Sequence, residues 1–309
     1  MKSGERPGRG KRWIRRTAVA LAIYLAVCFA VPECIFARRT SAAASEAFWR
    51  DKPVRLLEIP GGAGKLRGYL AETAAPRALV VMAHGMNAEA SQGWPLAERL
   101  LAAGFSVLLY DAAAAGGSDG ITGHSLHQYR LDAEAVLAWV AREGPAGLPV
   151  ALYGFSAGGW GLATAMEDSP VPVLGLVTAS APDRPEALMM QSMLRTVPVI
   201  SAVGVPGMML RDRILYGDEA DRAASQVIAQ TGVPALIIHS RGDTMVPPDL
   251  SIARAVDAPN AKTLWLPEAT AHSDLAGAAN AEQILAFLEE LLAGGSFFML
   301  ILFFDQNAK

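Results

Sequence analysis

Six short apolar runs without polar alternation constrain the fold of this chain most strongly. A strand that is covered on both faces has this pattern, whereas a half-exposed strand alternates apolar and polar residues. Helical patterns separate most of the runs, and this order predicts an α/β fold with a mostly parallel, helix-flanked sheet. The runs are 78–83, 105–110, 150–153, 173–178, 235–239 and 262–266, and the helical patterns include 94–103, 126–141 and 158–166.

Two further strands are predicted before the parallel series. Residues 54–60 and 66–71 flank the turn Gly61-Gly62-Ala63-Gly64. Glycine-rich turns between apolar runs are typical of antiparallel hairpins. With this hairpin at its start, the folded domain is predicted to cover residues 54–293.

A long insertion interrupts the strand-helix alternation at about 181–232. It separates two strands that a short crossover could join, and loops of this size are usually functional. Its methionines are flexible and adapt to varied apolar shapes, which favours a small lid over an apolar pocket. The alternative is that these apolar residues only pack the insertion onto the sheet. The methionines are Met189, Met190, Met193, Met208 and Met209.

An apolar segment at residues 17–32 follows sixteen residues that contain seven Lys or Arg and one Glu. Its length lies between that of a signal-peptide core and that of a membrane-spanning helix. Residues 35–37 include a bulky side chain where a cleavage site needs a small one, although 42–44 offers a later site. We therefore expect residues 1–37 to form an uncleaved signal anchor that contacts the membrane through about 17–37. The positive-inside rule then places the folded domain outside the cytoplasm, and cleavage would make it secreted.

Charge and cysteine content exclude several functions. The first sixteen residues carry +6 in a chain of net charge −3, so the remainder carries −9 and has no electrostatic reason to bind nucleic acid. Both cysteines, Cys28 and Cys34, lie in or beside the apolar segment, so the globular part can hold no disulfide and no cysteine metal site. We expect no metal and no cofactor.

Two terminal segments flank the predicted domain. Residues 38–53 are polar and are interpreted as a linker. Residues 294–309 form a hydrophobic tail of unknown role that is too short to span a bilayer as a helix. It could dip into a membrane surface, pair with another chain, or be a sequence artefact.

The pentapeptide Gly154-Phe155-Ser156-Ala157-Gly158 follows an apolar run and precedes a helical pattern of small residues. A strand that turns sharply into a helix strains the residue at the turn, and glycines two positions before and after it avoid collisions. This context predicts a nucleophile elbow that exposes the Ser156 hydroxyl above the sheet edge.

A serine nucleophile needs a base, and the base needs a carboxylate that holds its tautomer. Asp243 follows the predicted strand 235–239, and His272 follows the predicted strand 262–266. Because loops at the carboxyl ends of parallel strands converge, these side chains are expected to meet at Ser156. Ser156, Asp243 and His272 are the predicted catalytic residues.

The oxyanion formed during acyl transfer needs two backbone donors. The N–H of Ala157 is one, and the N–H of Met86, after the strand 78–83, is predicted as the other. His84 is interpreted as a residue that orients this loop. His124 and His127 are interpreted as surface or loop residues.

Taken together, these residues resemble the α/β-hydrolase superfamily over roughly 54–292, and in layout the chain looks like the superfamily's single-pass membrane-anchored serine hydrolases. It departs from hormone-sensitive-lipase-like esterases, which extend the His-Gly motif by Gly-Gly. It also has Asp-Ala-Ala-Ala-Ala-Gly-Gly-Ser after Tyr110, where many relatives have Arg-Gly-His-Gly. The matching features are His84-Gly85, 111–120, 154–159, 242–247 and His272.

The predicted function is hydrolysis of carboxylic esters with small or medium apolar acyl groups, through an acyl-enzyme. A thioesterase or an aminopeptidase or amidase with the same triad is the first alternative. A membrane-tethered binding module without catalysis is the second, although such a module would be expected to have lost one of the three residues. The predicted partner is a small-molecule ester, and the oligomeric state stays open.

Overall fold

The computed structural model describes residues 9–35, 37–120, 125–196 and 198–294. One eight-stranded sheet in the order β1-β2-β4-β3-β5-β6-β7-β8 forms its centre. The first two strands pair antiparallel, β2 also pairs antiparallel with β4, and the other pairs are parallel. All eight predicted strands are present: Arg55–Gly61 (β1), Gly64–Ala71 (β2), Leu79–Ala83 (β3), Ser106–Tyr110 (β4), Val150–Phe155 (β5), Val173–Ala179 (β6), Ala235–Ser240 (β7) and Ala261–Leu266 (β8).

The three helices predicted at 94–103, 126–141 and 158–166 are present, with ends that differ from the prediction by at most two residues. The helices of the described residues are Arg9–Ile35 (α1), Ala42–Trp49 (α2), Trp94–Ala102 (α3), His127–Glu143 (α4), Ala157–Ala165 (α5), Pro185–Thr196 (α6), Pro198–Tyr216 (α7), Ala224–Thr231 (α8), Ile252–Ala255 (α9) and Ala281–Leu292 (α10).

Strands β3, β4, β5 and β7 are buried at every position because helices cover both faces of the sheet. In β3, Leu79 and Val81 belong to the core shared with α4, α5 and α8, whereas Val80 and Met82 belong to the core shared with α3 and α10. Successive side chains of a strand point to opposite faces, so a strand buried on both sides has no position for an exposed polar residue. The α/β architecture is therefore confirmed.

The interpretation of 38–53 as a linker was wrong. Residues 42–49 form α2, and Trp49 is 3% exposed and stacks on Tyr69 with ring centroids 4.0 Å apart. The guanidinium of Arg38 donates hydrogen bonds to the carbonyls of Gly116 at 2.6 Å and Gly120 at 3.0 Å. The ring stacking of Trp49 and the hydrogen bonds of Arg38 to backbone carbonyls attach this segment to the domain. Its composition nevertheless resembles that of a polar linker.

The predicted lid boundaries were too wide at their carboxyl end. Helices α6 and α7 form a pair outside the sheet, but α8 buries Val227 and Ile228 in the core and serves as the crossover to β7. Arg184 and Asp221 join the two ends of the pair, with Arg184 Nη1 donating to the backbone carbonyl of Asp221 at 2.8 Å. We use "lid" below for α6, α7 and the 3-10 turn Gly217–Asp221.

The amino-terminal helix α1 contains a 19-residue stretch, Arg12–Ala30, of mean hydropathy 1.5. Its length and composition would allow it to cross a membrane. A signal sequence near the amino terminus has the same length and composition. Of the predicted tail, residues 295–309 lie outside the described residues.

Candidate active site

The turn from β5 to α5 has the geometry of the predicted elbow. Ser156 adopts φ 52° and ψ −120°, a conformation that favours glycine. The elbow glycines are required by space, because a Cβ at Gly154 would overlap the backbone of Gly159 and a Cβ at Gly158 would overlap the carbonyl oxygen of His84. The Ser156 N–H donates to the carbonyl of Ala179 at 2.8 Å, which anchors the strained residue to β6.

Asp243 lies in the loop that follows β7 and is 3% exposed. Its Oδ1 accepts hydrogen bonds of 2.9 Å from the backbone N–H groups of both Met245 and Val246. These bonds close the loop on the carboxylate and leave Oδ2 for a partner on another loop.

His272, which begins the 3-10 turn His272–Ala276, joins the other two predicted residues. Its Nδ1 lies 2.6 Å from Asp243 Oδ2, and its Nε2 lies 3.2 Å from Ser156 Oγ. The carboxylate can only accept, so Nδ1 carries the proton and Nε2 is free to accept the Ser156 hydroxyl proton. The structure thus brings together three side chains that are up to 116 positions apart in sequence.

Two opposing influences act on the Asp243 carboxyl. Burial raises its pKa, but the hydrogen bond from His272 and the N–H of Val246 lower it further than burial raises it. The net pKa lies below the ordinary aspartate value. Asp243 is therefore a carboxylate throughout the neutral range and holds the Nδ1–H tautomer of His272.

Met86 and Ala157, whose amides are the predicted oxyanion donors, contact the same small apolar cluster. Met86 packs against a small cluster that contains Ala157, Leu126 and Tyr129. The loop before Met86 approaches the nucleophile closely, since a Cβ at Gly85 would lie 3.3 Å from Ser156 Cβ. Within the described part of the chain, neither the Met86 nor the Ala157 amide N–H has a hydrogen-bond acceptor. The assignment of these two amides to the oxyanion stays a prediction.

His84 orients this loop, as the sequence predicted. Its Nε2 accepts the N–H of Ala112 at 2.9 Å, so its Nδ1 carries the proton and donates to the carbonyl of Gly85 at 2.7 Å. Burial lowers its pKa, which keeps the ring neutral. It thereby joins the ends of β3 and β4.

Sequence reasoning missed two residues that position His272. Asp274 Oδ2 accepts the N–H of Ala271 at 2.9 Å and caps the turn that carries His272. Ser240, fully buried at the end of β7, donates its hydroxyl to the carbonyl of Thr270 at 2.7 Å. An acidic residue three positions after an N-cap can accept the N-cap N–H, and this spacing could have indicated Asp274, whereas nothing local identifies Ser240.

Two other histidines flank the site. His239 Nε2 donates to the carbonyl of Val246 at 3.0 Å and lies 3.9 Å from Asp243 Oδ2, so it supports the loop behind the carboxylate. The interpretation of His127 as a surface residue was wrong: it is 6% exposed and packs against Tyr216 of the lid, with ring centroids 4.3 Å apart. His124 lies outside the described residues.

A small cavity of about 30 Å³ lies between the lid and α4. Two of the residues that line it also take part in the small cluster that contains Ala157: Leu126 belongs to that cluster, and Met189 packs against it. The cavity therefore adjoins the predicted oxyanion site. Among the described residues, no group of three or more His, Cys, Asp or Glu side chains could hold a metal ion. The cavity is lined by Leu126, His127, Pro185, Glu186, Met189, Val205, Met208, Met209, Asp212 and Ala220.

Comparisons with known proteins agree with this architecture. Residues 74–216 match the family described as serine aminopeptidase, S33. No curated protein sequence matches the chain.

Three solved structures illustrate the shared fold. The esterase Pf2001 of Pyrococcus furiosus is 19% identical and has a TM-score of 0.56, with 81% of this chain and 92% of that one covered. Est1E of Butyrivibrio proteoclasticus, solved with ferulic acid bound, is 18% identical with a TM-score of 0.57 and coverage of 77% and 98%. A serine hydrolase without a lid from Xanthomonas campestris is 15% identical with a TM-score of 0.50 and coverage of 79% and 95%.

Proposed function

We propose that the chain is a serine hydrolase of the α/β-hydrolase superfamily and that it cleaves carboxylic esters. The match of residues 74–216 to the serine aminopeptidase family and the shared fold support this proposal. The observation that carries the proposal is the hydrogen-bonded series from Asp243 through His272 to Ser156, at 2.6 Å and 3.2 Å. A buried carboxylate that holds an imidazole against a hydroxyl is the arrangement that activates serine as a nucleophile.

In the first half-reaction Ser156 Oγ attacks the acyl carbon of the ester while His272 Nε2 takes the hydroxyl proton. Asp243 stabilises the imidazolium that forms, since its low pKa keeps it ionised. The amide N–H groups of Met86 and Ala157 bind the oxyanion of the tetrahedral intermediate. His272 then gives its proton to the leaving alcohol, and the acyl group stays on Ser156.

In the second half-reaction water replaces the alcohol. His272 takes a proton from water, the hydroxide attacks the acyl-enzyme, and the same two amides bind the second oxyanion. Collapse of this intermediate returns the proton to Ser156 and releases the acid. The cycle needs no cofactor.

Small or medium apolar acyl groups are the proposed substrates. The cavity beside Ala157 is lined by Leu126, Val205 and methionines of the lid, and flexible thioethers adapt to acyl chains of different shape.

Amide or peptide bonds are the second candidate. The match of residues 74–216 to the serine aminopeptidase family favours it, because that family's description names such an activity. The same triad would serve, and the leaving group would be an amine protonated by His272. A thioesterase would differ only in its leaving group.

We also propose that α1 anchors the protein in a membrane and that the catalytic domain lies outside the cytoplasm. The support is the 19-residue apolar stretch preceded by a basic segment. The attachment of Arg38 and α2 to the domain favours a protein that keeps these residues, because cleavage at 42–44 would remove Arg38.

The test is a substrate panel with full-length protein in detergent. It contains p-nitrophenyl esters of increasing acyl length, a thioester and aminoacyl amides. We expect turnover of the esters that falls by several orders of magnitude in Ser156→Ala with unchanged melting. Preference for the amides would favour the second candidate, and equal turnover by Ser156→Ala would overturn the proposed nucleophile.

A further inference from the structure

An open groove of about 370 Å³ lies between the amino-terminal segment and the loop that follows Met86. One wall comes from Thr40, Ser41 and helix α2, and the other comes from residues 87–92. A volume of this size falls in the range of small-molecule sites. The cavity between the lid and α4, at about 30 Å³, is far smaller. The groove is therefore the roomier of the two spaces.

A second small cavity, of about 30 Å³, connects the groove with the proposed oxyanion site. It extends from the groove to Met86 and Tyr129. Tyr129 belongs to the cluster that contains Ala157, the residue after the nucleophile. The groove and the nucleophile therefore adjoin the same loop. Three residues line both the groove and this second cavity: Thr40, Asn87 and Ala88.

Strands on opposite sides of β5 supply the groove and the lid cavity. Strand β5, which leads into Ser156, lies between β3 and β6 in the sheet. The loop that lines the groove follows β3, whereas the lid follows β6. An ester has its acyl group on one side of the reacting carbon and its alcohol on the other. The two parts of a substrate bound at Ser156 can thus occupy the two spaces.

The groove differs from the lid cavity in its chemistry. Of the nine described residues that line it, six have polar side chains. Only Glu89 among them is charged, and its Oε1 already accepts the Ser91 hydroxyl at 2.9 Å. The other five are hydroxyls and amides, which both donate and accept hydrogen bonds, as the hydroxyls of a ligand do. The six are Thr40, Ser41, Asn87, Glu89, Ser91 and Gln92.

Two side-chain amides and one aromatic ring are placed to bind a ligand in the groove. Asn87 directly follows Met86, and among the residues that the structure describes its exposed side chain has no hydrogen-bond partner. Gln92 Oε1 accepts the N–H of Gly85 at 3.0 Å, which leaves the NH₂ group of Gln92 as a donor. Phe48, 36% exposed, offers an apolar surface to the carbon skeleton of a ligand.

We propose that the groove binds the alcohol part of the ester and that this alcohol carries several hydroxyl groups, as a sugar or another polyol does. The acyl group is then short, because the lid cavity has room for about two atoms of the size of a water molecule. The inference rests on the proposed esterase function and names the substrate class that this function leaves open.

The first test compares acetates of primary alcohols with full-length protein in detergent. Two of them, 6-O-acetyl-D-glucose and n-hexyl acetate, have six-carbon alcohols, and only the first is hydroxylated. We expect kcat/KM to be about tenfold or more higher for 6-O-acetyl-D-glucose, because a site built for hydroxyls rejects an analogue that lacks them. Equal or higher kcat/KM for n-hexyl acetate would overturn the inference. Preference for acetylcholine would assign the groove to a cation and would overturn it too.

The second test fills the groove. Ala44 is exposed on α2 and lines the groove, so Ala44→Trp places an indole in it. We expect kcat/KM for 6-O-acetyl-D-glucose to fall about tenfold or more relative to that for ethyl acetate, whose alcohol is too small to reach the groove. Ala42→Trp is the matched control, because Ala42 is also exposed and lies about 160° around the same helix. It should change neither value. Equal losses on both esters in Ala44→Trp, or none, would overturn the inference.

Asn87→Gly is a second variant that does not depend on added bulk. Asn87 has φ 62°, which glycine adopts without strain, so the backbone is kept and only the amide is lost. We expect severalfold loss on 6-O-acetyl-D-glucose relative to ethyl acetate, mainly through KM, and an unchanged ratio would contradict a role of Asn87 in the groove. Wild-type hydrolysis of ethyl and hexyl acetate without 6-O-acetyl-D-glucose would overturn the inference and leave the proposed function intact. No hydrolysis of any ester, p-nitrophenyl butyrate included, would overturn the proposed function.

Discussion

The carboxylate of Asp274 caps the turn that presents His272, through a hydrogen bond of 2.9 Å from the N–H of Ala271. Asp274 is exposed and does not touch Ser156 in the described structure, so its effect on the site passes through the position of the imidazole. Such residues decide whether a triad is aligned, because small displacements of a base weaken proton transfer.

Asp274→Ala is expected to lower kcat about tenfold with little change in KM, because the cap that positions His272 is lost. Steady-state kinetics on p-nitrophenyl butyrate measure both constants. Asp249→Ala, which removes an exposed carboxylate from another turn, should leave them unchanged. A rise in KM at constant kcat would instead assign Asp274 to substrate binding.

Asp243→Asn is expected to reduce kcat by about four orders of magnitude while the fold is retained, because an amide can hold the wrong tautomer of His272. The pKa of Asp243 is lowered in the folded protein, so its contribution to stability is present above the unfolded pKa and is lost as pH falls through the folded value. The wild type should therefore lose stability at acid pH more steeply than the variant. Parallel stability curves would contradict this.

Asp132 should produce the opposite pH dependence. Burial raises its pKa from 3.8 to about 6, although the N–H of Ala113 and the amide of Gln128 oppose the shift. A raised pKa means a contribution that is complete below the unfolded value and is lost as pH rises through the folded one. Asp132→Asn should gain roughly 2 kcal/mol in unfolding free energy relative to wild type between pH 4 and pH 7. Denaturant unfolding at both pH values measures the gain, and a constant difference would refute it.

Ser156→Gly is expected to be more stable than Ser156→Ala by about 1 kcal/mol. Ser156 has φ 52°, and relief of such strain outweighs the greater entropy that glycine has in the unfolded chain. Both variants lack the nucleophile, so the comparison isolates the backbone. Thermal unfolding in the same detergent measures it, and equal melting temperatures would show that the elbow is unstrained.

Arg38→Ala should destabilise the domain by about 1–2 kcal/mol, because the carbonyls of Gly116 and Gly120 lose a charged donor. Arg50→Ala, at an exposed position just beyond α2, is the matched control. A protein that begins after residue 44 should show at least the same loss. If it melts at the wild-type temperature, residues 38–44 contribute nothing to the folded domain.

The sheet, and the meeting of Ser156, Asp243 and His272 at one edge of it, could be predicted because their signals are local. Most of the parallel strands are short, mainly apolar runs, and each of the three residues follows such a run. The other features depend on partners that are distant in sequence. Trp49 stacks on Tyr69, and the Ala, Ser and Arg composition around Trp49 gives no sign of that contact. His127 packs on Tyr216, and its neighbours in sequence give no sign of that contact either.

The lid shows the same distinction. The methionines indicated an apolar cover, but α8 could be separated from it only through the burial of Val227 and Ile228 against the sheet. Ser240 is a similar case, since its hydroxyl reaches the carbonyl of Thr270 across 30 positions of sequence. Contacts of this length have no periodic signal.

The central claim is that Ser156 is an activated nucleophile, and labelling by a fluorophosphonate probe tests it most directly. The probe reacts with a serine only when a base has activated it. We predict labelling of the wild type on the peptide that contains Ser156, strong reduction in His272→Ala, and none in Ser156→Ala. A folded wild-type protein that stays unlabelled, or that is labelled at another residue, would contradict the account.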